Sequence, residues 1–149
     1  MNVRIRKAAP ADMEGIHALV RELAEYERGL HRVITSPDSY RADFGRGAFD
    51  AIVADAAGEI VGMALYCGMF STWRGRILYL EDFIVREPLR GAGIGRQLFE
   101  AFLEEARRQD VSLVKWQVLH WNEPGLNFYR KLPGVVFDEE WIDVKMFFK

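Results

Sequence analysis

The first third of the chain predicts a strand followed by helices. Val3 and Ile5 alternate with polar neighbours, which is typical of a short strand. Apolar side chains then recur at helical spacing from Met13 to Leu23, and Asp12 immediately before them is a residue type that caps helices. The pattern therefore predicts a first strand and an amphipathic helix.

Further along, the period changes from helical to alternating. Ser36-Pro37 places a capping residue before a proline that is tolerated at the first helical position, which predicts a second helix near residues 37–45. Runs of strand-like residues then follow one another, separated by Ala56-Ala57-Gly58 and Trp73-Arg74-Gly75. These predict three consecutive strands, at residues 49–54, 60–70 and 77–85.

The last third alternates helices with strands. Apolar residues at helical spacing follow a glycine-rich turn, and shorter segments with helix-like and strand-like patterns come after them. The predicted elements are a helix containing residues 98–106, a strand at 111–119, a helix at 122–131 and a final strand at 142–148. The order β-α-α-β-β-β-α-β-α-β predicts one α+β domain over residues 1–149, with helices on the faces of a sheet.

Composition narrows the class of protein. The chain has 149 residues, of which 50% are hydrophobic and 28% charged, with a formal net charge of −2 and no block of like charge, so we expect no nucleic-acid partner. Cys67 is the one cysteine, so no disulfide framework is expected. The first residues form no apolar signal segment, and charges and glycines interrupt the apolar stretch 51–70. We therefore expect a cytoplasmic protein that does not insert into membranes. The three histidines are too scattered to suggest a metal site.

Candidate chemistry begins at the glycine-rich turn, Arg90-Gly91-Ala92-Gly93-Ile94-Gly95, which joins a strand to a helix. Glycines let a ligand approach the backbone, and the amides at a helix N-terminus attract phosphates. A P-loop is excluded because its Gly-Lys-Ser/Thr is missing, and the dinucleotide fingerprint fails because the third glycine comes one residue early. From this turn alone, phosphate binding and a plain glycine-rich connection both stay open.

Several segments resemble one enzyme family. The turn at 90–95 is similar to the acetyl-CoA-binding motif Q/R-x-x-G-x-G/A of the GNAT N-acetyltransferases. ELAEYE at 22–27, LYLEDFIV at 78–85 and WNEPGLNFYRK at 121–131 resemble the diamine (spermidine/spermine) acetyltransferases within that superfamily. The resemblance implies the GNAT acyl-CoA N-acyltransferase fold, with a mixed, mostly antiparallel central sheet flanked by helices. It also implies acetyl-CoA as co-substrate, no metal, and a homodimer.

The resemblance further implies where the coenzyme binds. The strand before the turn provides main-chain groups for the pantetheine arm and the thioester, the turn holds the diphosphate, and the start of the last helix adds further contacts. The implied coenzyme-binding residues are Phe83, Ile84, Val85, Arg90, Gly91, Ala92, Gly93, Ile94, Gly95, Arg96, Asn122, Glu123, Pro124 and Gly125.

Two residues are implied as catalytic. Tyr129 matches the tyrosine of the family's N-F-Y segment, and a phenol with an ordinary pKa near 10 can protonate a departing thiolate. Glu81 is the candidate to take a proton from the ammonium group of the acceptor, through ordered water. Because neighbouring side chains on a strand alternate between its faces, we expect Glu81 and Asp82 to point in opposite directions and not to share a proton.

A cationic acceptor needs carboxylates and aromatic faces. The implied substrate-binding residues are Tyr26, Glu27, Trp73, Glu81, Asp82, Glu140 and Trp141. Ser71 and Leu132-Pro133-Gly134 depart from the polyamine enzymes, which weakens spermidine as the acceptor. The function predicted is acetyl transfer to a primary amine of a small polyamine or diamine. A thialysine-like amino acid, an aminoglycoside or a protein as acceptor stays open, as does an acyl-CoA-binding module without turnover.

Overall fold

A computed structural model describes residues 2–149. These residues form two compact units, residues 2–117 and residues 118–149. The first unit contains five strands and three helices. Its strands are β1 (Arg4–Lys7), β2 (Asp50–Ala56), β3 (Glu59–Ser71), β4 (Gly75–Val85) and β5 (Val114–Trp116), and its helices are α1 (Met13–Tyr26), α2 (Pro37–Gly45) and α3 (Ile94–Arg108). The second unit contains α4 (Glu123–Arg130).

The sheet has the order β1-β2-β3-β4-β5, with antiparallel neighbours except for the parallel pair β4–β5. Short turns join β2, β3 and β4, whereas α3 lies between β4 and β5 because a parallel connection must cross over. The predicted mixed, mostly antiparallel α+β sheet is confirmed. That the whole chain forms a single domain stays a prediction.

The two faces of the sheet bury different helices. Met13, Ile16 and Leu19 of α1 share a core cluster with Met63 and Leu65 of β3. On the other face, α3 buries an apolar stripe, and the rings of Tyr66 and Phe102 lie 5.4 Å apart. Residues that are paired across two strands share a face of the sheet. Each paired residue of the central strands can therefore be assigned either to the α1 face or to the α3 face.

Two local predictions need correction. The cap of α2 is confirmed, since the hydroxyl of Ser36 accepts a hydrogen bond from the Ser39 amide at 3.1 Å. The Asp12 carboxylate does not cap α1; it accepts hydrogen bonds from the Ala9 amide at 2.7 Å and from the Arg6 guanidinium at 2.7 and 2.9 Å. A short 3-10 turn at Pro10–Asp12 directs this carboxylate back towards β1.

The final strand predicted at 142–148 is wrong for the chain as described, because these residues form no strand and their large apolar side chains are exposed. The strand predicted at 111–119 is confirmed only over Val114–Trp116. Alternation of apolar and polar residues indicates a strand only where a partner strand is available to complete the hydrogen bonds.

Candidate active site

The centre of the candidate site is a β-bulge in β4. Along the β3–β4 ladder, Leu65 is paired with Asp82 but the next residue, Tyr66, is paired with Leu80. Glu81 is therefore an extra residue that has no counterpart on β3. A bulge of this kind bends a strand and changes the direction of its side chains.

The bulge brings two carboxylates to the same face. Asp82 shares the α1 face with its partner Leu65, which belongs to the α1 core cluster, whereas Leu80 shares the α3 face with Tyr66. Glu81 follows a residue of the α3 face, so alternation directs it to the α1 face, and Asp82 lies there as well. The expectation that Glu81 and Asp82 point in opposite directions is wrong, because the extra residue interrupts the alternation.

Asp82 has the most altered acidity in this cluster. Burial of the carboxylate, together with the negative charges of Glu81 and Glu27, raises the pKa of Asp82 to about 7. Both effects disfavour the ionised form, the first through loss of hydration and the second through repulsion. At neutral pH the Asp82 carboxyl therefore exchanges a proton readily, which is the property required of a general base.

Other groups from three elements surround this pair. Glu27 lies at the C-terminal end of α1, where burial and then the charge of Glu81 raise its pKa. Burial, followed by the charge of Asp82, raises the pKa of Tyr40 of α2 to about 12, and burial and Glu81 raise that of Cys67 on β3. We define Glu27, Glu81 and Asp82 as the acidic cluster. It suits a ligand that carries positive charge.

A positive group lies on the same face of the sheet, opposite Tyr79, which is two residues before Glu81 in β4. Lys115 of β5 is paired with Tyr79 of β4, and its ammonium nitrogen lies 5.9 Å from the centre of the Tyr79 ring. Tyr79 is paired with Cys67, one residue after Tyr66 of the opposite face, so Lys115 belongs to the α1 face. The site thus combines an acidic cluster with one neighbouring cation.

The ladder between β4 and β5 ends before the residues where the thioester is expected. The two strands are paired only from Leu78–Val114 to Leu80–Trp116. Beyond Leu80, no strand in the described chain is paired with this side of β4. The role of Phe83, Ile84 and Val85 in coenzyme binding stays a prediction.

The glycine-rich turn has the geometry of an anion site. Gly91 and Gly93 both have a φ of +83°, a conformation that side-chain-bearing residues rarely adopt, and a Cβ at either position would have no atom within 4 Å. The first hydrogen bond within α3 runs from the Gln97 amide to the Gly93 carbonyl. The amides of residues 94–96 therefore have no acceptor within the helix. An open turn and unsatisfied amides are what a diphosphate requires.

The two arginines at the turn are placed differently from each other. The Arg90 side chain donates to the Val85 carbonyl at 2.9 Å, and its guanidinium lies 5.5 Å from the centre of the Tyr26 ring. The guanidinium of Arg96 forms an exposed ion pair with Glu100 at 3.1 Å. Arg90 thus links α1, β4 and the turn. Direct contact of either arginine with a phosphate, and of Ala92 with the coenzyme, stays a prediction.

In the second unit, the N-terminus of α4 is capped and closely packed. The side-chain oxygen of Asn122 accepts a hydrogen bond from the Gly125 amide at 3.1 Å, and a Cβ on Gly125 would approach Asn122 to 2.7 Å. Pro124 occupies a position in the first turn where it is tolerated, and the Glu123 carboxylate lies 3.5 Å from Arg130. Within α4, Leu126 and Tyr129 are buried. The coenzyme contacts of this helix and the acid role of Tyr129 stay predictions.

The remaining predicted substrate contacts are mostly exposed. Trp73 lies in the turn between β3 and β4 with 85% of its surface accessible, while Trp141 and Glu140 are exposed in the second unit. Tyr26 lies at the end of α1, next to Glu27 of the acidic cluster. The structure therefore groups Glu27, Glu81 and Asp82 through their charges, and the aromatic contacts stay predictions.

A cavity of about 430 Å³ lies elsewhere in the first unit. Its walls contain none of the predicted site residues; they are Asn2, Ala56, Ala57, Glu59, Val61, Arg86, Pro88 and Leu89. Within residues 2–149, no group of histidine, cysteine or acidic residues is arranged to hold a metal ion. No helix of this part of the chain is long and apolar enough to cross a membrane.

Sequence reasoning missed Tyr40, Cys67 and the bulge itself. A signal for the bulge was present, because two adjacent charged residues, Glu81 and Asp82, interrupt a strand whose neighbours are apolar. Two charged residues at adjacent positions of a strand break the alternation between its faces, and such a break is a sign of an inserted residue. Tyr40 and Cys67 carried no such signal, because their relation to the cluster depends on how α2 and β3 pack.

Comparison with known families identifies the class of protein. Residues 16–133 match the model of the acetyltransferase (GNAT) family. The chain belongs to this family and is an N-acetyltransferase. Members of the family take the acetyl group from acetyl-CoA.

Individual relatives refine the position of the chain within the family. It is 39% identical to thialysine N-epsilon-acetyltransferase of Mus musculus, over 97% of this chain and 92% of that protein. It is 31% identical to spermidine/spermine N(1)-acetyltransferase-like protein 1 of Homo sapiens, over 85% of this chain and 19% of that protein. A crystal structure of an aminoglycoside acetyltransferase from an uncultured soil metagenomic sample has the same fold, with a TM-score of 0.82 at 19% identity over 99% of this chain and 97% of that chain.

Proposed function

We propose that the protein transfers the acetyl group of acetyl-CoA directly to a primary amine of a small cationic acceptor, in a ternary complex. The observation that supports this most is the bulge at Glu81, because it places two carboxylates on one face and near Glu27. An ammonium group would be attracted to this cluster. Transfer then requires the ammonium to become a neutral amine, since only a free electron pair attacks the thioester carbonyl.

The pair Glu81–Asp82 takes the proton of the ammonium group. The neutral amine nitrogen then attacks the carbonyl carbon, the C–S bond breaks, and the thiolate of CoA receives a proton from the Tyr129 phenol. The surplus proton of the new amide nitrogen restores the phenol, so one proton is released to solvent for each ammonium acetylated. Main-chain amides beside Ile84 stabilise the developing negative charge on the carbonyl oxygen.

Tyr129→Phe tests the acid role. We expect a fall in kcat of at least ~100-fold with little change in the Kd of CoA, because general acid catalysis contributes roughly 10²–10⁴-fold. Phe128→Leu is a matched control on the same helix. Steady-state assays and calorimetric CoA titration measure the two quantities, and an unchanged kcat for Tyr129→Phe would remove it from this role.

The pH profile tests the base. For the native protein, kcat/KM should rise with pH and level off above pH 7, because the pKa of Asp82 is about 7 and the acceptor needs an ionised carboxylate. Asp82→Asn should displace this inflection, and Glu81→Gln should move it to lower pH because one repelling charge is lost. A profile identical in all three proteins would contradict the proposal that this pair accepts the proton.

Two acceptors can be distinguished through Lys115. A thialysine-like amino acid carries a carboxylate that the Lys115 ammonium on the α1 face would attract, whereas the same cation repels a polyamine. The name of the Mus musculus relative also points to thialysine. We therefore propose a thialysine-like amino acid as the preferred acceptor and a diamine or polyamine as the second candidate.

An acceptor panel with Lys115→Gln decides between these candidates. With the native protein, we expect kcat/KM for thialysine to exceed that for putrescine and spermidine. Lys115→Gln should lower the thialysine value about tenfold and raise the spermidine value, since a ~1.4 kcal/mol interaction corresponds to a factor of ten. Higher native activity with spermidine would support the second candidate. No turnover with any amine, while CoA still binds, would support a binding module instead.

By family resemblance we also propose a homodimer as the working state of the enzyme.

A further inference from the structure

Three polar side chains form a hydrogen-bonded chain beside the α1 core. His17 of α1 is only 4% exposed, and its Nε2 atom lies 3.2 Å from the hydroxyl oxygen of Thr35. Thr35, which lies before α2, is hydrogen-bonded in turn to the phenol of the half-buried Tyr40 on α2. A buried polar group costs free energy unless it is paired, and this chain pairs the His17 ring. The Tyr40 phenol, at the other end, is available for a second role.

Tyr40 is the member of this chain that lies nearest to the acidic cluster. Its ring is 5.0 Å from the His17 ring, and it packs against the core cluster that contains Leu65. Leu65 is paired with Asp82 across β3 and β4, so Tyr40 and Asp82 belong to the same face of the sheet. After burial, the charge of Asp82 is the strongest influence on the pKa of Tyr40, ahead of the hydrogen bond with Thr35.

The direction of the hydrogen bonds leaves the phenol proton available. The hydrogen bond with Thr35 lowers the pKa of Tyr40, which is the effect of a donor on a phenol oxygen. Because a threonine hydroxyl has one proton, Thr35 then accepts from His17, whose Nε2 must carry a hydrogen. Burial and the charge of Asp82 raise the pKa of Tyr40 to about 12, so the phenol keeps its own proton at neutral pH. This proton can be donated towards the acidic cluster.

We infer that Tyr40 is a positioning residue for Asp82: its O–H group, fixed by Thr35 and His17, favours the ionised carboxylate that accepts a proton. The inference rests on the proposed function, since it concerns the base of that reaction. A donor near a carboxylate stabilises its negative charge, which here partly offsets the burial and repulsion that disfavour ionisation of Asp82. Within the described residues no direct hydrogen bond joins the two side chains, and one bridging water would transmit the interaction.

Several other titratable groups share this environment. Glu81 acts on both side chains of the pair. A test of the inference must therefore change the Tyr40 hydroxyl and leave these charges in place. The groups on the surrounding elements are His17 and Glu27 from α1 and its end, Asp43 of α2, Cys67 of β3, Glu81 of β4 and Lys115 of β5.

The first test is the titration of the Asp82 carboxyl group, followed by ¹³C NMR. Tyr40→Phe removes the hydroxyl and keeps the ring, so the pKa of Asp82 should rise from about 7 by about one pH unit. Tyr66→Phe is the matched control, because it removes the hydroxyl of a buried tyrosine on the α3 face, and it should leave the titration unchanged. A titration that Tyr40→Phe does not shift, or that both variants shift equally, would overturn the inference.

Two further measurements apply even if Tyr40→Phe does not fold. Thr35→Val keeps the shape of the side chain but removes the hydroxyl that orients the phenol, so it should also raise the pKa of Asp82, by a smaller amount. In the native protein, ¹H–¹⁵N spectra at pH 8 should show a hydrogen on His17 Nε2. A hydrogen on Nδ1 alone would reverse the chain, with Tyr40 donating to Thr35. Either that tautomer or an unchanged titration in Thr35→Val would overturn the inference.

The pH profile of kcat/KM separates this inference from the proposed function. If Asp82 is the base, Tyr40→Phe should lower kcat/KM about fivefold at pH 7, because the ionised fraction falls from about one half to about one eleventh, and should have little effect at pH 9. A shifted Asp82 titration with an unshifted rate profile would support the role of Tyr40 and reject Asp82 as the base. A native rate profile that follows the Asp82 titration, with both unchanged in Tyr40→Phe, would reject the role of Tyr40 and leave the base standing.

Discussion

At the scale of single residues, the environment of Asp82 shows how position changes acidity. A carboxylate on an open strand face is ionised well below neutral pH, with an ordinary pKa near 4. Burial and two like charges raise the pKa of Asp82 to about 7. Between these two pKa values the folded protein keeps a proton that the unfolded chain releases, so the base role that we propose for Asp82 would reduce stability.

This relation predicts a pH-dependent stability. Between about pH 4 and pH 7 the folded state binds more protons at Asp82 than the unfolded state, so the free energy of unfolding should fall as pH rises through this window. Asp82→Asn cannot ionise and should unfold at a higher temperature than the native protein at pH 8, but not at pH 4.

Thermal unfolding followed by circular dichroism at both pH values measures this difference, with Glu87→Gln as an exposed control near the end of β4. A gain in Tm for Asp82→Asn that is equal at pH 4 and pH 8 would show that packing and not ionisation is responsible.

At the scale of elements, we propose that the turn between β4 and α3 holds the diphosphate of the coenzyme. Gly93→Ala should weaken CoA binding at least ~10-fold, because the substitution strains a φ of +83° and adds a methyl group on the open side of the anion site. Titration calorimetry with CoA gives the affinity.

Gly47→Ala is the matched control for this change. Gly47 also has a positive φ, of +75°, and open space at its Cβ, but it lies in the connection after α2. Both variants should lose similar stability, and only Gly93→Ala should lose affinity. If the two bind CoA equally well, the diphosphate lies elsewhere.

The elements also show what sequence patterns can predict. Amphipathic helices and the three central strands were predictable because their periods arise from burial against a single sheet. The glycine-rich turn was predictable because its glycines stand at alternate positions between a strand and a helix. The bulge at Glu81 and the grouping of Glu27 with Asp82 depend on the register of β3 with β4 and on where α1 ends. Alternation predicts a strand at 142–148 because it does not tell whether a partner strand is available.

At the scale of the whole molecule, association should affect unfolding. If the working state is the homodimer that we propose, folding and dimerisation are linked and the Tm should rise with protein concentration. Differential scanning fluorimetry over a hundredfold range of concentration measures this. A native Tm that does not change over the range would argue against coupled association.

The extra residue in β4 changes which residue numbers face each helix. Up to Leu80 the even-numbered residues point towards α3, but from Phe83 onward the odd-numbered residues do so. Removal of Glu81 would make Leu80 and Asp82 neighbours in a regular strand, with Leu80 still on the α3 face and Ile84 still in the α1 core, because Glu81 has no counterpart on β3. The inserted residue is thus dispensable for the register of the sheet, and a chain that lacks it should keep the same core while it loses the bend and one of the two adjacent carboxylates.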